Sequence, residues 1–284
     1  MTAFSPASAA FEGLRVLRRQ PRAVAAWVGG NVLIVVLIAL SKIGSGPVPV
    51  RSPAAATDLP QIVGRFGPLA FVAAPMLLIL WIAIVGAIFR QELRPKESRW
   101  AFMRLGGDEV RLALVALIGA ATVLVITGLE FGIITSLKVI SDSVFPAAAA
   151  GIRVSGAAAA FFLNFWIVVR LSLAPAHTFA ERRVSMFGSW SLTRRHFWDL
   201  AWMIFLMMVT VFLVFFVLAL LANFLGGQSL KDLDSHHLIH PSWAAIVGLF
   251  VLILLFTVVQ VLVSVLVYAP LAFAYRALAA PAES

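Results

Sequence analysis

Residues 197–225 read FWDLAWMIFLMMVTVFLVFFVLALLANFL, an apolar run too long and too uniform for the half-buried face of a globular helix. A helix rises about 1.5 Å per residue, so about 20 apolar residues cross a ~30 Å hydrocarbon core. Five further runs meet that length, over residues 23–41, 66–89, 112–134, 154–174 and 243–269. A water-soluble chain has no use for six of them. Apolar residues are 62% of the 284 and charged residues 12%, against roughly 45–50% and 25% in soluble domains. The expected fold is therefore all-α, a single polytopic membrane domain over residues 1–284. Six transmembrane helices form it, with three amphipathic helices lying at the interface.

The connections carry the charge. Residues 1–10 are small and polar and read as a frayed tail. From Phe11, Arg15, Arg18, Arg19 and Arg22 recur at i, i+3, i+4, i+7, while Phe11, Leu14 and Leu17 fall on another face. That pattern predicts an interfacial helix, ended or kinked at Pro21. A cleaved signal peptide would also begin with a basic segment and an apolar run, but both are long for that role. Residues 42–65, with Pro47, Pro49, Pro53 and Pro60, read as an extended loop, and Pro75 as a kink in the second span. A charged, amphipathic connection around Trp100, Met103 and Leu105 precedes the third span. Pro175 ends the fourth span, Pro270 closes the sixth, and the loop GGQSLKDLDSHHLIHP separates the fifth from the sixth.

Three segments align without gaps at a spacing of 88 residues: GLRVLRRQPRAVAAWV from Gly13, AFMRLGGDEVRLALVA from Ala101 and SWSLTRRHFWDLAWMI from Ser189. In each, a basic or mixed piece turns apolar at the same column. The segment LAPAHTFAERR at Leu173 also resembles YAPLAFAYRAL at Tyr268, with Pro175 opposite Pro270. The unit is one elbow plus a two-helix hairpin, over about 11–90, 99–175 and 180–278. Regular spacing of any six spans would produce a similar period, so the repeat stands as an expectation. Lys and Arg outside the spans divide fifteen to six between the two sides. The positive-inside rule then puts both termini and all three elbows in the cytoplasm.

Net charge is +9, from 22 Lys and Arg against 13 Asp and Glu. The basic residues flank apolar spans, which points to anionic lipid rather than nucleic acid. There is no cysteine, which excludes a catalytic thiol, a disulfide framework and thiolate metal ligands. The best candidate site is the elbow after the fourth span, with Arg182, Arg183, Arg194 and Arg195 beside Trp190 and Trp198. Guanidinium groups bind phosphate in bidentate fashion, and basic side chains at the interface draw anionic lipid. The plainer role for the same residues is to set topology and supply an aromatic belt. Arg170 lies about one turn inside the span boundary, where it marks a functional site or snorkels. Glu130 falls within Gly128-x-x-x-Gly132, a pattern for close helix packing, and its carboxylate is expected to pair with an outer-side cation. Asn31, Asn164 and Gln260 within spans read as inter-helix hydrogen-bonding groups. Asp232, His236 and His240, with Asp234 and His237 beside them, share a face only if helical, and a solvated loop is preferred to a metal site. No Walker glycine loop is present, since Gly106-Gly107 lacks the lysine and hydroxyl that follow in one. No cofactor is implied.

RLSLAPA at 170–176 and SWSLTRRHFW at 189–198 resemble the glycerophosphoryl diester phosphodiesterase membrane domain family and related six-span bacterial inner-membrane proteins. Arg170, Pro175, Ser189, Trp190, Leu192, Thr193, Arg194, Phe197 and Trp198 carry the likeness, and FRQELRPKESRWAFMRLGGDEVRLAL from Phe89 adds to it. The resemblance implies a bacterial inner-membrane protein. In some relatives a separate phosphodiesterase domain is joined to this region; these 284 residues hold no stretch of that kind, so phosphodiesterase activity is not expected. The reading is a non-catalytic, lipid-interacting membrane module. A small-molecule transporter using Asn31, Asn164 and Arg170, and a lipid-modifying enzyme using the histidine-rich loop, remain as alternatives.

Overall fold

The computed structural model describes residues 5–43, 59–97, 102–144, 148–232 and 243–279; among these it has ten α-helices, a short 3-10 turn at Pro95–Glu97 and no strand. In order they are α1 (Pro6–Ala10), α2 (Glu12–Arg19), α3 (Pro21–Ile43), α4 (Leu59–Leu93), α5 (Gly107–Val144), α6 (Ala149–Leu171), α7 (Ala174–Glu181), α8 (Trp190–Arg195), α9 (Phe197–Asp232) and α10 (Trp243–Ala279). Five helices are long and apolar enough to cross a membrane, and α2 with α3 makes a sixth if the bent pair is one span. Their outer surfaces agree with that. Leu124, Phe131, Val154, Phe212 and Phe224 are all more than three-fifths exposed, far beyond the isolated apolar side chains a water-facing surface carries. Lipid is the solvent that such a surface requires, as in a multi-pass membrane protein.

Prolines mark several helix boundaries. Pro21 opens α3, where its missing N–H is one of the donors a helix start leaves unused anyway. Between α2 and α3 the chain turns by 93°, and the Gln20 N–H closes α2 by donating to the Val16 carbonyl at 3.0 Å. Pro175 sits in the first turn of α7 after α6 has ended at Leu171. Four expectations fail. α4 begins at Leu59, about two turns early, because Pro60 falls in the first turn, where proline costs nothing. α10 runs on through Pro270 to Ala279. The proline removes one backbone bond, and Ala269, Leu271, Ala272 and Ala274 around it are buried, so packing holds the helix together. α9 likewise continues past Gly226 and Gly227 to Asp232, the extended helix outweighing about 1 kcal/mol per glycine. Residues 6–10 are not a frayed tail either: they form α1, with Ala9 and Ala10 buried.

The chain forms two compact units. One comprises residues up to Ala10, Leu105–Leu206 and the stretch from Pro270 onward. Its frame is the α5–α6 hairpin, against which α7 and α8 pack. The other comprises Phe11–Arg104 and Met207–Ala269. Its core joins Val16 of α2, Trp27 of α3, Ile84 and Ile88 of α4, and Val261 and Val265 of α10. Trp27 is completely buried there. α2 approaches α10 closely: a Cβ on Gly13 would lie 2.7 Å from the Leu266 Cα. Glu12 beside it is 2% exposed and accepts from Arg15 at 2.8 Å and Arg19 at 3.2 Å. Arg90, one of the fifteen basic residues that the charge division assigns to the elbow side, is buried, and its Nη1 donates to the Phe102 carbonyl at 2.5 Å. Phe102 has φ 59°, a left-handed conformation rare for a bulky residue, and Arg90 holds it there.

Candidate functional site

The last turn of α6 sets the site. Trp166 and Arg170 are one turn apart and so share a face. The Arg170 guanidinium carbon lies 5.5 Å from the centroids of Trp166, Trp190 of α8 and Phe197 of α9, a three-sided aromatic box suited to a cation. The indoles of Trp166 and Trp190 meet edge to face at 5.3 Å. Arg170 Nε and Nη1 are enclosed and have no hydrogen-bond acceptor.

α8 has six residues, too few to persist alone, and tertiary contacts hold it. Thr193, completely buried, donates from Oγ1 to the Trp190 carbonyl at 3.1 Å and lies 3.5 Å from the Arg170 carbonyl, one of the carbonyls that the end of α6 leaves open. Trp190 N–H donates to Phe187 O at 3.0 Å. So fixed, α8 presents Arg194 and Arg195, both exposed, to an open cleft of about 690 Å³ lined also by Phe187, Trp190 and Ser191. The neighbouring carboxylates are engaged elsewhere: Glu181 accepts from Arg183 Nη2 at 2.6 Å, and Asp199 lies 3.4 Å from His196 Nδ1. The cleft is thus cationic with an aromatic wall, the combination that receives an anionic, amphiphilic head group.

Of the six elbow residues the sequence singles out, Trp190, Arg194 and Arg195 share this cleft. Arg182 closes α7 in the left-handed region with φ 55°, and Arg183 is turned to Glu181. Trp198 is 80% exposed, with its ring edge to face against Phe197. Among the polar groups within spans, Asn164 Nδ2 donates to Glu130 Oε2 at 2.5 Å and to the Ala160 carbonyl at 3.1 Å. Asn164 therefore takes the place of the cation expected to pair with Glu130, and Glu130 Oε1 remains buried without a partner. Gly128 and Gly132 face open space rather than a packed helix. Asn31 is buried in the other unit, and Gln260 there lines a mostly apolar hollow of about 230 Å³ with Trp81, Phe215, Phe256, Ser264 and Tyr268. Asp234, His236, His237 and His240 lie outside the described residues, as does the side chain of Asp232. Among the described residues no group of three His, Asp or Glu side chains converges.

A buried polar cluster shapes the elbow and has no counterpart in the sequence reading. His177 of α7 is 6% exposed, with Nδ1 3.3 Å from the Tyr275 hydroxyl and 3.6 Å from Glu181 Oε1. Ser185 N–H donates to Thr178 Oγ1 at 3.3 Å. Gly188 lies directly against His177 and Ser185, so that the turn leading into α8 rests on the imidazole. The only trace in the sequence is His177 and Glu181 at i, i+4.

No family model matches the chain, and neither a curated protein nor a solved structure matches it.

Proposed function

We propose that this is a non-catalytic membrane module that holds anionic lipid head groups at the cytoplasmic face of a bacterial inner membrane. The cleft of Trp190, Ser191, Arg194 and Arg195, with no carboxylate among the described residues that line it, is the observation that carries the reading. Arginine presents a fork of donors that fits phosphate oxygens, and an indole at the interface accommodates both head group and acyl chain. α2 and α8 are interfacial helices in this reading: Phe11 and Leu14 are exposed beside the arginines of α2, as a helix lying in the membrane surface requires. The three elbow-plus-hairpin units and the likeness to the phosphodiesterase membrane domain family belong to the same proposal and rest on the aligned residues.

Native mass spectrometry of the protein released in mild detergent tests it. The wild type is expected to carry anionic lipid, and Arg194→Gln/Arg195→Gln to lose most of it while still inserting. Equal retention by the variant would leave the arginines a role in topology alone.

Orientation has its own test, which the absence of cysteine makes clean. Ser191→Cys is expected to react with a membrane-impermeant maleimide only in permeabilised spheroplasts. Ser143→Cys, near the far end of α5, is expected to react in intact ones. The reverse pattern would invert the topology.

A further inference from the structure

We propose that the hollow lined by α4, α9 and α10 is a binding site for a neutral, single-ring quinone carrying a hydrocarbon tail. It belongs to the unit formed by Phe11–Arg104 and Met207–Ala269 and is separate from the elbow cleft. Phe256, Gln260, Ser264 and Val267 recur at i, i+4, i+8 and i+11 and so line the hollow from one face of α10. Trp81 of α4, Phe215 of α9 and Tyr268 complete its walls. Trp81 meets Tyr268 edge to face at 6.0 Å, and Phe89 braces Tyr268 at 5.8 Å, so the aromatic wall is held in place.

Gln260 is the residue that calls for a ligand. It lies well inside the apolar stretch Phe250–Ala279 and is exposed. Among the described residues its amide has no hydrogen-bond partner, and neither has the Trp81 N–H or the Tyr268 O–H. The Ser264 hydroxyl is already satisfied, donating to the Gln260 backbone carbonyl at 2.9 Å. The hydrocarbon core supplies no water, so an unpaired amide is costly there. An acyl chain filling the hollow offers no acceptor, and phospholipid ester carbonyls sit at the interface. A second helix, about 10 Å across, does not enter a hollow of about 230 Å³. That volume exceeds the ~150 Å³ that encloses one benzene ring and falls short of the ~300–1,000 Å³ of pockets for drug-sized ligands, so it takes one substituted ring. No charged side chain is among the described residues that line it, so the ring is neutral. Gln260, Trp81 and Tyr268 offer more donors than acceptors, so the ring carries carbonyls. The electron-rich faces of the aromatic walls suit an electron-poor ring. A quinone meets these conditions together, and its tail has lipid to lie in.

The test titrates the full-length protein in phosphatidylcholine nanodiscs with 2-decyl-1,4-benzoquinone and reads tryptophan fluorescence, which a quinone in contact with an indole quenches. Quinone dissolved in the lipid quenches in proportion to its concentration, whereas a bound one adds a saturable component. That component is expected in the wild type and should vanish in Trp81→Phe, although the others of the eight tryptophans remain. Gln260→Leu should raise the half-saturation concentration about tenfold, the loss of one hydrogen bond. Decylbenzene, which has the ring and the tail but no carbonyl, should displace nothing. Circular dichroism establishes that each variant keeps its helices, and the decylbenzene comparison needs no variant. Absence of a saturable component, or its survival in Trp81→Phe, overturns the site. Displacement by decylbenzene, or an unchanged half-saturation in Gln260→Leu, overturns the quinone assignment in favour of any flat apolar ring. A dimer in native mass spectrometry that Gln260→Leu dissolves, with no quinone bound, overturns the proposal in favour of a contact between two copies of the chain.

Discussion

Gly13→Leu is expected to cost about 3 kcal/mol, at the upper end of the range for overpacking, and to lower the unfolding midpoint in detergent by about 6–12 °C. The new Cβ would stand 2.7 Å from the Leu266 Cα and 3.0 Å from the Val265 carbonyl oxygen. Both are backbone atoms in the middle of α10, and neither can rotate aside. Relief comes only by lifting α2 away from α10. That movement exposes Val16, 1% exposed, and Glu12, 2% exposed, and so removes an apolar contact and strips the cover from a carboxylate that Arg15 and Arg19 of the same helix hold. Gly29→Leu is the control. Gly29 is exposed on α3 with nothing within 4 Å of its Cβ position, and glycine within a helix is itself unfavourable by about 1 kcal/mol. That variant should match or slightly exceed the wild type in a thermal-shift measurement. Equal midpoints for the two leucine variants would show that α2 does not rest on α10.

These two glycines also show what a sequence does and does not disclose. Gly13 lies in a basic amphipathic run and Gly29 in an apolar one, yet neither run tells which glycine has no room; only the approach of a distant helix does. The spans were legible because the bilayer imposes a length and a composition on each segment independently of its neighbours. Thus Phe197 opens a helix as its sequence predicts, whereas the break expected at Pro175 comes before it, at residues 172–173, with Pro175 in the first turn of α7 and the apolar stretch running on to Glu181. Pro270 misled for the converse reason, since its cost is local while the packing that offsets it is not. The burial of Arg90 has no sign in the sequence because its partner, the Phe102 carbonyl, is supplied by a turn twelve residues away. The Arg170 box was half visible: Trp166 stands one helical turn before it, whereas Trp190 and Phe197 arrive on two other helices. His177 and Tyr275, 98 residues apart, gave no local sign at all.

Gly188→Val should remove lipid retention as completely as loss of Arg194 and Arg195, although it changes no charge. A Cβ at 188 would fall 2.2 Å from His177 Nε2, 2.6 Å from its Cδ2 and 2.3 Å from Ser185 Oγ. The imidazole cannot yield easily, because it is buried and faces the Tyr275 hydroxyl at 3.3 Å and Glu181 at 3.6 Å. The turn before α8 must move instead, carrying Ser189, completely buried, and Thr193 out of their seats. With Thr193 displaced, nothing fixes Arg194 and Arg195 beside Trp190. The requirement at 188 is for space, so the variant His177→Ala/Gly188→Val should recover part of the retention, a coupling that a double-mutant cycle reads directly. Recovery would place the determinant in the shape of the elbow. Full retention by Gly188→Val alone would mean that scattered positive charge near the interface is sufficient, and that the cleft geometry has no part in holding the head group.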